Sequence, residues 1–310
     1  METMNLPVVS VIIPVYNGER YIGRCLDHLF RQSYPVEKFE LIIVDNGSTD
    51  NTVRIVESYG LKSRYAGKKG PGAARNAGFN VAGGEIILLI DADCLADPDL
   101  IVQHVRAHQF YESADPTVQI IGWSIRGLNT NYWSVCDDFC SWTGNHPLLP
   151  PRYVASHPTA NLSFRRELVA KGFGFDEELK SGEDYDFCIR LTRAGYKIFF
   201  EPKATVSHIN RTRFSSFMKH ARDWTISEYQ LRRKGIIIPP QNNSLRWTLI
   251  FANILLGNII EIVTNSFQAG RIQVLLFLPW IILNRSVYYF YILKAELRFQ
   301  KERDAAAGKD

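Results

Sequence analysis

Residues 85–93 read Glu85-Ile86-Ile87-Leu88-Leu89-Ile90-Asp91-Ala92-Asp93, a short apolar run that ends on two aspartates one residue apart. A run of this length bounded by polar residues is expected of a strand buried on both faces, as in a parallel sheet. Two carboxylates at i and i+2, where a strand opens into a loop, can approach one hard cation. Mg2+ or Mn2+ prefers such oxygen ligands and keeps coordination positions for water and phosphate. Taken alone, the triplet is also compatible with a turn carrying two solvated aspartates.

The flanking sequence repeats the pattern. Residues 8–15 (VVSVIIPV) form a continuous apolar run, and residues 19–32 then place Tyr21, Ile22, Cys25, Leu26, Leu29 and Phe30 on one helical stripe. Residues 40–44 (ELIIV) read as a second strand, with Ser48 or Thr49 available to cap a helix over 50–59. A glycine-rich, lysine-bearing loop at 67–72 leads into a helix over 73–81, and Asp97-Pro98 starts another reaching about Tyr111. Alternation of this kind predicts a Rossmann-like, mostly parallel sheet flanked by helices. Ligands of such sheets sit at the carboxyl ends of the strands, which is where Asn17, Asp45 and Asp91 fall. Beyond a strand at 118–125 the pattern loosens. A long irregular region with Trp123, Trp133 and Trp142 runs to about Pro158 and is expected to be a binding loop. An extended stretch over 159–164, a helix over 183–193 and two short strands, 197–200 and 204–207, close the unit.

Five motifs occur in order: VSVIIPVYN (9–17), VDNGSTD (44–50), GPGAARNAG (70–78), DAD (91–93) and GED (182–184). This series closely resembles the family-2 inverting glycosyltransferases of the GT-A fold, over about the first 210 residues. The resemblance implies transfer of a sugar from a nucleotide-diphosphate donor. Pro14, Tyr16, Asn17 and Glu19 would form the first donor-binding loop, and Asp45 would accept a hydrogen bond from the base. Arg75 and Asn76 would help to hold the nucleotide, with Lys69 near the phosphates; a helix start preceded by glycines is a natural anion site. Gly70-Pro71-Gly72 is not a Walker loop, since the Gly-Lys-Ser/Thr ending is missing. Asp91 would face the ribose, and Asp93 would ligate the metal, Mg2+ or Mn2+, with His208 completing its site. Asp184, beside Glu183, would be the general base that takes the acceptor proton, the leaving group being assisted by the metal. The dipole of a helix starting there would favour the ionised carboxylate.

The chain has 310 residues, 46% of them hydrophobic and 22% charged, the balance of a folded protein with a sizeable core. Its net charge of +4 hides an asymmetry, because the segment from Arg211 onward holds 15 Lys+Arg against 7 Asp+Glu. Those basic residues alternate with long apolar runs, so membrane lipid fits as the partner and nucleic acid does not. Residues 211–240 are expected to form an amphipathic interfacial helix and linker, with Phe214, Phe217, Met218, Ala221 and Trp224 on one side. Residues 241–310 would be an apolar helical hairpin and polar tail. Segments 247–263 and 272–293 approach the roughly 20 residues that span a bilayer. Asn253, Asn258 and Glu261 interrupt the first, and Pro279, Asn284 and Arg285 the second, leaving spanning and in-plane arrangements both open. Basic flanks, including Lys294, Arg298, Lys301 and Arg303, would keep both ends on the cytoplasmic side. The stretch over 219–224 (KHARDW) lacks the Gln-x-x-Arg-Trp motif of processive synthases, so addition of one sugar or a few to a lipid-linked or glycan acceptor is expected.

Competing readings are weaker. A haloacid-type phosphatase wants its Asp-x-Asp after the first strand and followed by Thr or Val, whereas Cys94 follows here and several strands come before. Nucleotidyltransferases carry a glycine-rich loop after the first strand, where this chain has Pro14-Val15-Tyr16-Asn17-Gly18. Cys136, Cys140 and His146 lack the paired spacing of a zinc site. Five scattered cysteines argue against a disulfide framework, and residues 1–7 do not read as a signal peptide. A catalytically inactive, membrane-bound nucleotide-sugar binder stays as the alternative, against which the intact Asp93, Glu183 and Asp184 speak.

Overall fold

The computed structural model describes residues 6–237 and 244–307, without the side chains of 244–252, 296 and 298–307. Thus part of the expected linker, the end of the polar tail and the side chains of Arg298, Lys301 and Arg303 lie outside the described residues. The chain divides into two compact units. One comprises the residues up to Leu128 with Asn145–Ile209, and the other comprises Asn129–Gly144 with the chain from Asn210 onward.

The first unit is built on one sheet. Its parallel part consists of β1 (Val9–Val15), β2 (Phe39–Asp45), β3 (Arg64–Tyr65) and β4 (Ile86–Ile90), in the order β3-β2-β1-β4. The apolar residues of β1 and all of β4 are buried, as two-sided burial of uninterrupted apolar runs requires. The linking helices are α1 (Ile22–Leu29), α2 (Thr52–Ser58) and α3 (Pro71–Phe79). Neither Ser48 nor Thr49 caps α2. Instead the helix starts two residues later than expected, at Thr52, after a local turn in which Asp50 accepts the Thr52 N–H at 3.0 Å. Helix α3 lies close on β1, because a Cβ on Gly78 would stand 2.5 Å from Ile12 Cγ2.

Beyond β4 the sheet turns mixed, a departure from the mostly parallel expectation. After the short β5 (Cys94–Ala96) and helix α4 (Leu100–Ala114) comes the long strand β6 (Val118–Leu128). Further on are β7 (Arg152–Val154), β8 (Asn161–Arg165), the short helix α6 (Glu167–Ala170), α7 (Glu183–Arg193) and β9 (Lys197–Ile209). Strand β8 inserts antiparallel between β4 and β6, β9 runs parallel to β6, and β5 and β7 pair antiparallel with β9. The two closing strands expected at 197–200 and 204–207 are one strand. Pro202, which lacks an N–H, sits where the register shifts between Trp123 and Ser124, and the Ser124 hydroxyl meets the carbonyls of Pro202 (2.9 Å) and Ala204 (3.0 Å) there.

The second unit contains a helix where an irregular binding loop was expected. This is α5 (Tyr132–Ser141), started by a capping box in which Asn131 and Ser134 satisfy each other's backbone N–H groups. The signal was present: Tyr132, Val135, Cys136, Phe139 and Cys140 recur at helical spacing. With α5 belong α8 (Phe214–Arg233), α9 (Ser244–Gln268) and α10 (Val274–Ala307). Phe139, Ile262, Val274 and Ile281 form their core. The aromatic stripe expected along α8 splits in two, Phe217 and Ala221 turning inward while Trp224 is half exposed. Asp137 and Asp138 are buried and paired, Asp137 with Arg211 at 3.2 Å and Asp138 with Arg271.

Candidate active site

The carboxyl ends of β1 and β4, the start of α3 and the start of α7 surround a cleft of ≈ 470 Å³. Its lining includes Pro14, Tyr16, Asn17, Asn46, Arg75, Asp91, Asp93 and Glu183. These residues come from five stretches spread over about 170 positions of sequence, gathered because parallel strands all present their carboxyl ends on one rim.

Around the first loop the polar groups are spent on one another. Asn17 takes a left-handed backbone (φ 48°), which its short polar side chain tolerates. Its N–H donates to Ser48 Oγ at 2.9 Å, and its Oδ1 accepts the Thr49 N–H at 2.8 Å. Glu19 accepts from the Asn51 backbone and side chain at 3.1 Å each, so it braces the loop and does not line the cleft. Asp45, expected to meet a base, is buried and accepts the N–H groups of Gly47 (3.1 Å) and Ser48 (3.2 Å) in its own turn. The next residue, Asn46, lines the cleft instead, with its Oδ1 accepting the Gly70 N–H at 3.2 Å.

Asn76 also turns elsewhere. It donates to the Phe175 carbonyl and to Glu177 Oε1, both at 2.9 Å, and accepts the Phe175 N–H at 2.8 Å, pinning the segment before α7. Lys69 is exposed, and its neighbour Lys68 pairs with Glu178 at 2.6 Å. Arg75 is buried. Its Nη1 donates to Glu183 Oε1 at 2.6 Å and its Nη2 to Asp91 Oδ1 at 2.9 Å, while its Nε has no partner among the described residues.

Asp93 and His208 are 115 positions apart, yet His208 Nε2 stands 3.4 Å from Asp93 Oδ1. The cause is the antiparallel pairing of β5 with β9, which sets Cys94 opposite His208, and the Ile209 N–H donating to the Asp93 carbonyl at 2.9 Å. Among the described residues no group of three or more His, Cys, Asp or Glu converges for a metal ion. A carboxylate with one imidazole still suits a hard cation whose remaining positions go to water and phosphate oxygens. The surroundings are electronegative: the buried Cys25 and Cys94 thiols are pushed up by burial first and then by the charges of Asp93 and Asp91.

Asp184 does not line the cleft, whereas its neighbour Glu183 does. Its carboxyl nevertheless belongs to the same electrostatic cluster. Burial pushes it up to about 7, the Glu183 charge adds to the rise, and Arg75 opposes it. The expectation that the helix dipole would favour its ionised form is therefore corrected, because loss of solvent and a like charge at the next residue outweigh the dipole. Residues missed in the sequence are Asn46, Tyr21 and Pro71, all of which line the cleft. Asn46 and Pro71 lie inside quoted motifs, and only their side-chain directions were hidden.

Residues 10–153 match the glycosyl transferase family 2 model, and residues 86–293, well over half of the chain, match that of glycosyl transferase family group 2. The chain belongs to the family-2 glycosyltransferases, and it is an enzyme of that class with the GT-A fold. Among its relatives, glycosyltransferase AglE of Haloferax volcanii is 29% identical over 248 residues, covering 74% of this chain and 79% of that protein. The dolichyl N-acetyl-alpha-D-glucosaminyl phosphate 3-beta-D-2,3-diacetamido-2,3-dideoxy-beta-D-glucuronosyltransferase of Methanococcus voltae is 22% identical over 253 residues, covering 73% of this chain and 74% of that protein. A solved structure, the mannosyltransferase PcManGT from Pyrobaculum calidifontis in complex with GDP-Man and Mn2+, superposes with a TM-score of 0.60 at 19% identity. It covers 95% of this chain and 87% of that one.

Proposed function

We propose that this glycosyltransferase moves a sugar, with inversion, from a nucleotide-diphosphate donor to a hydroxyl of a lipid-linked or glycan acceptor at a membrane. The observation that carries the reading is the convergence of Asp91, Asp93, Arg75 and Glu183 with the Pro14–Gly18 loop on one cleft. Its volume of ≈ 470 Å³ lies within the range of small-molecule sites.

In this reading the nucleoside lies along Pro14, Tyr16, Asn17 and Asn46, with Asp45 and Glu19 holding those loops in shape. Lys69, exposed beside Gly70, supplies positive charge near the phosphates. Asp93 and His208 would hold Mg2+ or Mn2+, which when bound neutralises the charge developing on the departing diphosphate. Asp91 faces the ribose from the end of β4. Asp184 removes the proton from the acceptor hydroxyl, and a carboxyl titrating near 7 is both ionised enough and basic enough for that task. Glu183 shapes the wall beside it. Residues 1–210 would carry the reaction.

Residues 211–310 would carry membrane attachment at the cytoplasmic face. Among the described residues one helix segment, Val274–Ala295, is long and apolar enough to cross a bilayer, with mean hydropathy 1.3. Asn284 is buried and donates to the Phe217 carbonyl at 3.3 Å, and Arg285 donates to the Cys140 carbonyl. The large exposed side chains left on this stretch are Leu275, Leu276, Ile282, Leu283 and Phe290, a face suited to lipid. The reading is tested by incubating the protein with UDP-, GDP- and dTDP-sugars, with and without Mn2+, and following nucleoside diphosphate release. Metal-stimulated release from one donor supports it, and failure to bind or turn over any of them rejects it.

A further inference from the structure

Arg75 was expected to hold the nucleotide, but its surroundings point to a different task. The side chain is 4% exposed, and both terminal nitrogens are already committed at 2.6 Å and 2.9 Å. One partner, Asp91, directly follows β4, and the other, Glu183, starts α7, so a single guanidinium joins two elements that the chain separates by about 90 residues. A planar fork with fixed donor directions is suited to holding two carboxylates in a set relation, which an ammonium cannot reproduce. The guanidinium also lies over the Phe175 ring, 5.5 Å from its centroid. Removing it would leave two carboxylates facing each other.

We propose that Arg75 is a positioning residue, which locks the end of β4 to the start of α7 and thereby sets where Asp184 stands relative to Asp93. This rests on the reading of the cleft as the donor site and of Asp184 as the base. Arg75 acts on that base in two ways. It fixes the first turn of α7 through Glu183, and its charge counters the burial and the Glu183 and Asp91 charges that push Asp184 up. The Tyr185 N–H, at 2.8 Å from Asp184 Oδ1, works in the same direction as Arg75.

The test compares R75Q, R75K and the double variant R75Q/E183Q with the wild type. Calorimetric titration with UDP, GDP and dTDP in Mn2+ gives nucleotide Kd, and turnover of the matching sugar donor gives kcat across pH. A positioning residue predicts that R75Q changes Kd less than about threefold while kcat falls about a hundredfold, the size expected of a misplaced catalytic group. The acid limb of kcat should move to higher pH in R75Q. R75K, which restores the charge without the fork, should return the limb and only part of kcat. Removing Arg75 together with its buried partner Glu183 leaves Asp91, whose side chain is one-third exposed, as the carboxylate without the guanidinium, so R75Q/E183Q should stay folded and keep wild-type Kd. A Kd raised tenfold or more in R75Q or the double variant, or an unmoved acid limb, overturns the inference. Wild-type protein that binds none of the three nucleotides overturns the donor-site reading itself.

Discussion

Replacing Asp184 by asparagine removes a carboxyl that the fold holds well above its ordinary range, so one substitution has two measurable consequences with opposite signs. The first is catalytic. With the group titrating at about 7 and acting as base, it is about one-tenth ionised at pH 6 and about nine-tenths at pH 8, so wild-type kcat should fall about tenfold between them. An ordinary aspartate at 3.8 would give no slope in that window. Asp184→Asn should lower kcat by about 100- to 10,000-fold at pH 8, the usual contribution of a positioned base.

The second consequence is on stability. Because the folded chain binds this proton more tightly than the unfolded one, the group's favourable contribution is complete below pH 4. It is lost as pH rises through about 7. Forcing the charge at pH 8 therefore costs the fold at most about 4 kcal/mol, from a rise of about three pKa units. Asp184→Asn, which carries no charge, should be more stable than wild type at pH 8, with the gap closing towards pH 4. Urea denaturation at pH 4, 6 and 8 measures this, alongside kcat over pH 5.5–8.5 under saturating donor. A flat wild-type kcat between pH 6 and 8, or a variant that keeps more than a tenth of its rate, would refute the assignment of the base.

Further outcomes follow from the same geometry. Asp93→Asn and His208→Ala should each abolish Mn2+ stimulation of donor turnover while leaving the far-ultraviolet circular dichroism unchanged; retained metal dependence in both would move the metal site elsewhere. Gly78→Ala drives a methyl to within 2.5 Å of Ile12 Cγ2 and should cost about 1–3 kcal/mol in urea denaturation, with no loss if the helix can shift freely. Leu276→Glu with Leu283→Glu places two charges on the exposed apolar face of α10 and should shift the protein from the membrane pellet to the supernatant in vesicle sedimentation. An unchanged distribution would separate that face from lipid.

Several features of this chain were legible in its order of residues. The parallel half of the sheet was, because two-sided burial needs uninterrupted apolar runs, and residues 8–15, 40–44 and 85–90 supply them. Helix α7 was, because residues 183–193 carry their own acidic start and basic end. So was the family, through five motifs whose order survives any folding detail. Helix α5 was overlooked, its spacing masked by the tryptophans, glycines and prolines around it.

What tertiary structure alone decided were the meetings between distant residues and the directions of their side chains. His208 reaches Asp93 only because β9 pairs antiparallel with β5, a non-local register that periodicity cannot encode. Asp45 and Asn46 are adjacent in one motif, yet the first is consumed by hydrogen bonds of its own turn and the second lines the cleft. Arg75 looked like an anion ligand at a glycine-led helix start until burial surrounded it with two carboxylates. Asp184 looked ionised by the helix dipole until desolvation and its neighbour reversed the balance. Local propensity and pattern act over a few residues, whereas burial and charge act through space, and the site is governed by the latter.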